Sequence, residues 1–231
     1  MSIIADNIRQ VRARVEQACI DAARPVESVT LVAVSKRFEA SSVREAYEAG
    51  LRCFGENQVQ EAAEKVGALG DLRGDTEWHL IGPLQSNKTR LAAETFDWVH
   101  SIDRLKVAQR LAEQRPRHLP PLQVCLQVNI SGEASKGGFE PAELVDAVGR
   151  IAELPGMRVR GLMSMAAFTD DEAAVRRSFA TTRGLLDEVA RQVPALAGRE
   201  LSMGMSNDFE IAVEEGSTLV RVGSVLFGER G

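Results

Sequence analysis

"TLVAVSK" (residues 30–36) decides how the rest of the chain is read. Its first five residues are β-branched or apolar without interruption, the mark of a strand buried on both faces, as in a parallel sheet covered by helices. The run then stops on Lys36, with Arg37 directly after it. A lone lysine at a strand end ordinarily reaches for solvent along its alkyl stem. Whether this one does depends on what the remaining strands place beside it.

Upstream, Ile4, Ile8, Val11 and Val15 recur at helical spacing, so residues 1–24 are expected to form an extra helix packed on the fold, with Pro25 beyond its end. Downstream, Ser42 and Glu45 have capping-box spacing and Gly50 can close a helix, which makes a βα unit. Seven further strand-like runs follow: "LRCFGEN" (51–57), "EWHLIG" (77–82), "WVHSID" (98–103), "LQVCLQVNI" (122–130), "VRGLMSM" (159–165), "LSMGMS" (201–206) and "LVRVGS" (219–224). Helical stretches lie between them, the longest from about residue 170 to 193, with Thr169 and Glu172 placed as a second capping box. Eight strands alternating with helices in 231 residues predict an α/β fold, a single (β/α)8 TIM barrel covering residues 1–231.

Composition narrows the function. With a net charge of −5 and mixed signs along the chain, a concentrated basic face for nucleic acid is not expected. The N-terminal segment carries charge on every turn, so neither a signal peptide nor a membrane span is expected, and the location predicted is cytoplasmic. Cys19, Cys53 and Cys125 are odd in number and far apart, which fits reduced thiols. His79, His100 and His118 have no ligand spacing, and no metal site is expected.

In a barrel of this kind the residues ending each strand form the active face. Lys36, partly desolvated there, can act as an amine nucleophile and form a Schiff base with an aldehyde or ketone. Ser206 and the Gly223–Ser224 pair end the seventh and eighth runs, where barrels often hold phosphate on backbone N–H groups. Turn and N-cap residues would look the same. An aldehyde and a phosphate together point to pyridoxal phosphate. Arg221, inside "LVRVG", needs a partner or a ligand if it faces inward; beside a pyridine nitrogen it would keep that nitrogen unprotonated. Two near-motifs fail: "GPLQSNKT" (82–89) has Asn87 where a phosphate loop needs its second glycine, and "GMSND" (204–208) lacks the second glycine of a nucleophile elbow.

The blocks "VAVSK", "FGENQVQEAAEK", "WHLIGPLQSNK", "QVNISGEASKGGF", "GLMSM", "LSMGMSNDFEIAVEEGST" and "VRVGSVLFGER", in order from residue 32 to 230, closely resemble the pyridoxal phosphate homeostasis protein family. The resemblance implies a barrel similar to the alanine racemase N-terminal domain, of fold-type III. It implies a Schiff base on Lys36, phosphate held by Ser206, Gly223 and Ser224, Arg221 facing the pyridine nitrogen, and a pocket lined by Asn57, His79, Met163, Met203 and Gly204. Two departures stand out: Gln58 where the family often has Tyr, and Ser224 where it often has Thr, which keeps the hydroxyl. A racemase of this fold draws a second base, a tyrosine, from a C-terminal β domain that is not expected here. A carrier without turnover is therefore predicted, monomeric and with apo-enzymes that use pyridoxal 5′-phosphate as partners. A weak amino-acid racemase is the alternative, and a cofactor-free aldolase ranks third.

Overall fold

The computed structural model describes residues 2–130, 137–167 and 169–228; part of the "QVNISGEASKGGF" block and the end of "VRVGSVLFGER" lie outside them. The chain opens with α1 (Ile3–Asp21) and β1 (Thr30–Val34), followed by α2 (Ala40–Glu48), β2 (Cys53–Glu56), α3 (Val59–Ala68) and β3 (Glu77–Leu80). It continues through α4 (Thr89–Thr95), β4 (Trp98–Ile102), α5 (Leu105–Gln114), β5 (Leu122–Gln127), α6 (Leu144–Ala152) and β6 (Met157–Met163). The last elements are α7 (Glu172–Gln192), β7 (Glu200–Ser202), α8 (Phe209–Glu214), β8 (Leu219–Val222) and the short α9 (Ser224–Phe227). No helix among the described residues is long and apolar enough to cross a membrane.

The eight strands close into one barrel in sequence order. Each neighbouring pair is parallel, and β8 completes the ring on β1 through Thr30↔Leu219, Leu31↔Val220, Val32↔Arg221 and Ala33↔Val222. All eight expected strands form, and each stops short of its predicted end. The polar residues that ended those runs leave the ladder and build loops at the C-terminal mouth.

Periodicity explains the outer layer. Ile4, Ile8, Val11 and Val15 are all buried, Ser2 Oγ accepts from the Ala5 N–H at 3.2 Å, and α1 packs against α2, α8 and α9. Both expected capping boxes are replaced. Helix α2 begins before Ser42, after Glu39, and α7 is capped by Asp171, whose Oδ1 accepts from the Ala174 N–H at 3.1 Å. Thr169 Oγ1 instead accepts from the Asp171 N–H, so the threonine shapes the turn that presents the better cap. Gly50 does close α2, at φ +91°.

Inside the barrel, Val32, Trp98, Cys125, Met163 and Leu219 form a small apolar cluster. Side chains two residues further along a strand point the same way, one layer nearer the C-terminal mouth. His100 thus lies above Trp98 and Arg221 above Leu219. The apolar plug closes the lower barrel, and a polar layer sits on it.

The β6–β7 seam depends on a missing side chain: a Cβ on Gly161 would lie 1.8 Å from the Glu200 carbonyl oxygen. Gly161→Ala must push the strands apart, and the expected cost is at least about 3 kcal/mol, lowering the thermal midpoint by roughly 6 °C or more. A midpoint unchanged in a melting curve would contradict the tight seam.

Candidate functional site

Lys36 sits just past β1 in a tight turn: the Phe38 N–H donates to the Ser35 carbonyl at 3.0 Å, and Arg37 is left-handed at φ +66°. A non-glycine residue there costs about 1–2 kcal/mol, so its surroundings must impose it. They do so through charge. The Arg37 N–H donates to Glu61 Oε1, and Lys65 Nζ donates to the Ser35 carbonyl at 2.6 Å, to Glu56 Oε1 at 2.7 Å and to Glu61 Oε1 at 2.8 Å. Ser35 Oγ also donates to Glu56 Oε1, at 2.6 Å. The residues on either side of Lys36 are therefore clamped by one buried cluster.

Ser35 and Glu56 are fully buried and Lys65 nearly so. Burial pushes the Glu56 carboxyl upward, against the pull of Lys65 and Ser35, and its second oxygen has no hydrogen-bond partner among the described residues. Burial also acts to raise Glu61, but the bonds from Lys65 and the Arg37 N–H outweigh it and hold Glu61 below the usual range.

Lys36 lines a cavity of about 660 Å³ at the C-terminal mouth, together with Asn57, Ser206, Arg221, Gly223 and Ser224. The Gly223 N–H donates to Ser206 Oγ at 3.3 Å, tying the ends of the seventh and eighth units together. Asn57 is seated by Gly82, where a Cβ would fall 2.3 Å from the Asn57 carbonyl oxygen. The other four expected residues lie outside this lining. Met163 is in the apolar plug, and Met203 is buried in the main core. Gly204 takes φ +88°, a Cβ there would also meet that of Ala212 at 2.6 Å, and its carbonyl accepts from the Arg221 N–H at 3.0 Å. His79 is buried and stacked on Trp98, with ring centroids 5.5 Å apart.

Below the cavity runs a chain of polar side chains. Arg221 Nη1 donates to Ser202 Oγ at 2.6 Å, and Nη2 to the Ser164 carbonyl at 3.1 Å. Ser202 Oγ is 2.7 Å from His100 Nδ1, and His100 Nε2 is 2.9 Å from His79 Nδ1. All four residues are buried. Burial lowers Arg221 to about 10, opposed by Asp208, which leaves it charged at neutral pH. Burial above all, with the neighbouring His79 and Arg221 acting in the same direction, holds His100 well below its usual value, so it is neutral. Ser202 and His100 were not among the expected residues; their signal was a polar side chain on the inward phase of a strand. At the N-terminal mouth, Cys53, Glu77 and His79 bring donor atoms within 4.8 Å of one another, a meeting of neighbouring strands that linear spacing did not reveal.

The model for the alanine racemase N-terminal domain matches residues 2–231. A pyridoxal phosphate homeostasis protein of Pseudomonas aeruginosa is 53% identical, over 100% of this chain and 97% of its own. This chain belongs to the pyridoxal phosphate homeostasis protein family. PipY of Synechococcus elongatus PCC7942, solved with PLP bound, is 42% identical with a TM-score of 0.86, covering 97% of this chain and 100% of PipY. The alanine racemase of Corynebacterium glutamicum shares the fold at 17% identity and a TM-score of 0.68, over 99% of this chain and 61% of the racemase.

For this member of the pyridoxal phosphate homeostasis protein family, the buried clamp gives a direct test. Lys65→Met strands a buried carboxylate, and the expected loss is about 3–5 kcal/mol, read as a fall in the denaturation midpoint. Adding Glu56→Gln should restore part of it. Equal stability of wild type and Lys65→Met would show that the cluster does not hold the turn.

Proposed function

We propose that this chain binds pyridoxal 5′-phosphate reversibly, with Lys36 taking the aldehyde as a Schiff base, and that it buffers the cofactor or delivers it to apo-enzymes. One observation carries the reading: an amine at the end of β1 shares one cavity with the Ser206, Gly223 and Ser224 group and with a buried arginine. A cavity of about 660 Å³ is of the size that holds a small cofactor. The donor set also fits. Ser206 and Ser224 offer hydroxyls, and the first turn of α9, which Gly223 leads into, offers backbone N–H groups, suited to a phosphate. Arg221 supplies a fixed positive charge for the ring nitrogen, and Asn57 lines the same wall. The names of the relatives and the PLP-bound PipY support the same cofactor.

The cofactor, once bound, would supply an electrophilic carbon and a ring that accepts electrons. The protein's part is to place Lys36, seat the phosphate and set the charge at the ring nitrogen. A positively charged arginine there opposes ring protonation and so weakens the electron sink that amino-acid chemistry uses. Racemisation further needs acid–base groups on both faces of the ring. The chain's single tyrosine, Tyr47, donates its hydroxyl to Asp75 Oδ2 at 2.8 Å and is not part of the cavity lining. These features favour holding the cofactor over turnover, in a monomeric cytoplasmic carrier.

Purified protein incubated with PLP should give a band near about 420 nm that disappears in Lys36→Ala, with the melting point little changed. A wild-type protein that stays colourless would refute cofactor binding. Racemisation of common amino acids at about 1 s⁻¹ or faster would instead make it an enzyme.

A further inference from the structure

We propose that His100 and Ser202 are positioning residues for the cofactor, forming with His79 a hydrogen-bonded relay that runs down the barrel from Arg221 to His79, with Glu77 beyond its last member. The inference rests on the functional reading above, since it concerns the charge presented to the ring nitrogen. Its ground is geometric: three successive contacts of 2.6, 2.7 and 2.9 Å join four buried side chains from four different strands, β8, β7, β4 and β3.

The direction of the relay follows from what each group can do. A guanidinium only donates, so Ser202 Oγ accepts from Arg221. The Ser202 hydroxyl proton is then free to point at His100 Nδ1. A neutral His100 that accepts at Nδ1 carries its proton on Nε2, which faces His79 Nδ1. His79 in turn carries its proton on Nε2. That atom is buried without a hydrogen-bond partner among the described residues, and Glu77 Oε2 stands 3.7 Å away, on the more exposed N-terminal end of β3. The opposite polarity would aim a His79 lone pair at the Glu77 carboxylate and make both Arg221 and His100 donate into one hydroxyl oxygen. The inferred order satisfies each inner link and leaves the last N–H facing an anion.

The consequence concerns Arg221. Its contacts at Ser202 Oγ and the Ser164 carbonyl are neutral acceptors, so they fix the plane of the guanidinium without cancelling its charge. Thr182 Oγ1 and Ser164 Oγ are hydrogen-bonded at 2.8 Å, which steadies that side. Ser202 owes its own orientation to His100. A residue that never reaches the cavity thereby sets how Arg221 meets the ring.

The test compares Ser202→Ala, His100→Leu and His100→Asn with wild type, reading the PLP dissociation constant and the pH midpoint of the visible band. Ser202→Ala and His100→Leu should each weaken PLP binding about three- to tenfold and shift the band's midpoint in the same direction. His100→Asn, which keeps a polar atom near the Nδ1 position, should recover most of the loss. Ser202→Ala/His100→Leu should be no worse than Ser202→Ala alone. His100→Leu matching wild type, or additive losses, would overturn the relay while leaving PLP binding intact. A wild type that binds no PLP would overturn both readings. Nitrogen-15 spectra of the unsubstituted apo-protein give an independent check: His79 and His100 should both carry the proton on Nε2, and an Nδ1–H form of either overturns the relay.

Discussion

The closing pairing of β8 on β1 is the constraint on which the site depends. Val32 and Arg221 are register partners, so the strand that leads into Lys36 lies beside the one that leads into Gly223 and Ser224. Parallel strands all finish at the same mouth, and closure makes the first and last of them neighbours. An amine and a set of phosphate-suited donors, separated by nearly the whole sequence, meet for that reason. Gly223 makes the approach close: a Cβ there would stand 3.1 Å from the Val34 carbonyl oxygen.

Closure brings Lys36 to the right place, and a buried ion cluster gives it a fixed direction. A buried ion pair is weak support for stability, because desolvation offsets most of its attraction. The Lys65 cluster is better understood through what it fixes, namely the Ser35 carbonyl and the Arg37 N–H on either side of Lys36. It forces Arg37 into a left-handed conformation that a glycine would adopt more easily.

Much of this was legible beforehand, for reasons that differ by element. The strands were readable because a doubly covered parallel sheet needs unbroken apolar runs. That Lys36, Ser206, Gly223 and Ser224 share one cavity was readable because strand ends in a barrel converge on one face, and Arg221 stood out because a charge inside an apolar run needs a partner or a ligand. The capping boxes at Ser42 and Thr169 misled because competing polar residues, Glu39 and Asp171, stood a few positions away. Met203 and Gly204 were grouped with the pocket by motif, yet one is buried in the main core and the other turns the chain. His100 and Ser202 could not be paired from sequence, since only the closed barrel brings β4 across to β7. The same holds for Cys53, Glu77 and His79, which neighbouring strands bring together at the opposite mouth.

The central claim is that Lys36, and no other lysine, takes the aldehyde. Borohydride reduction of the PLP-loaded protein, followed by peptide mass mapping, tests it most directly. The account predicts one phosphopyridoxyl adduct, on the peptide containing Lys36. A principal adduct on Lys65, Lys88, Lys106 or Lys136, with Lys36 unlabelled, would contradict it.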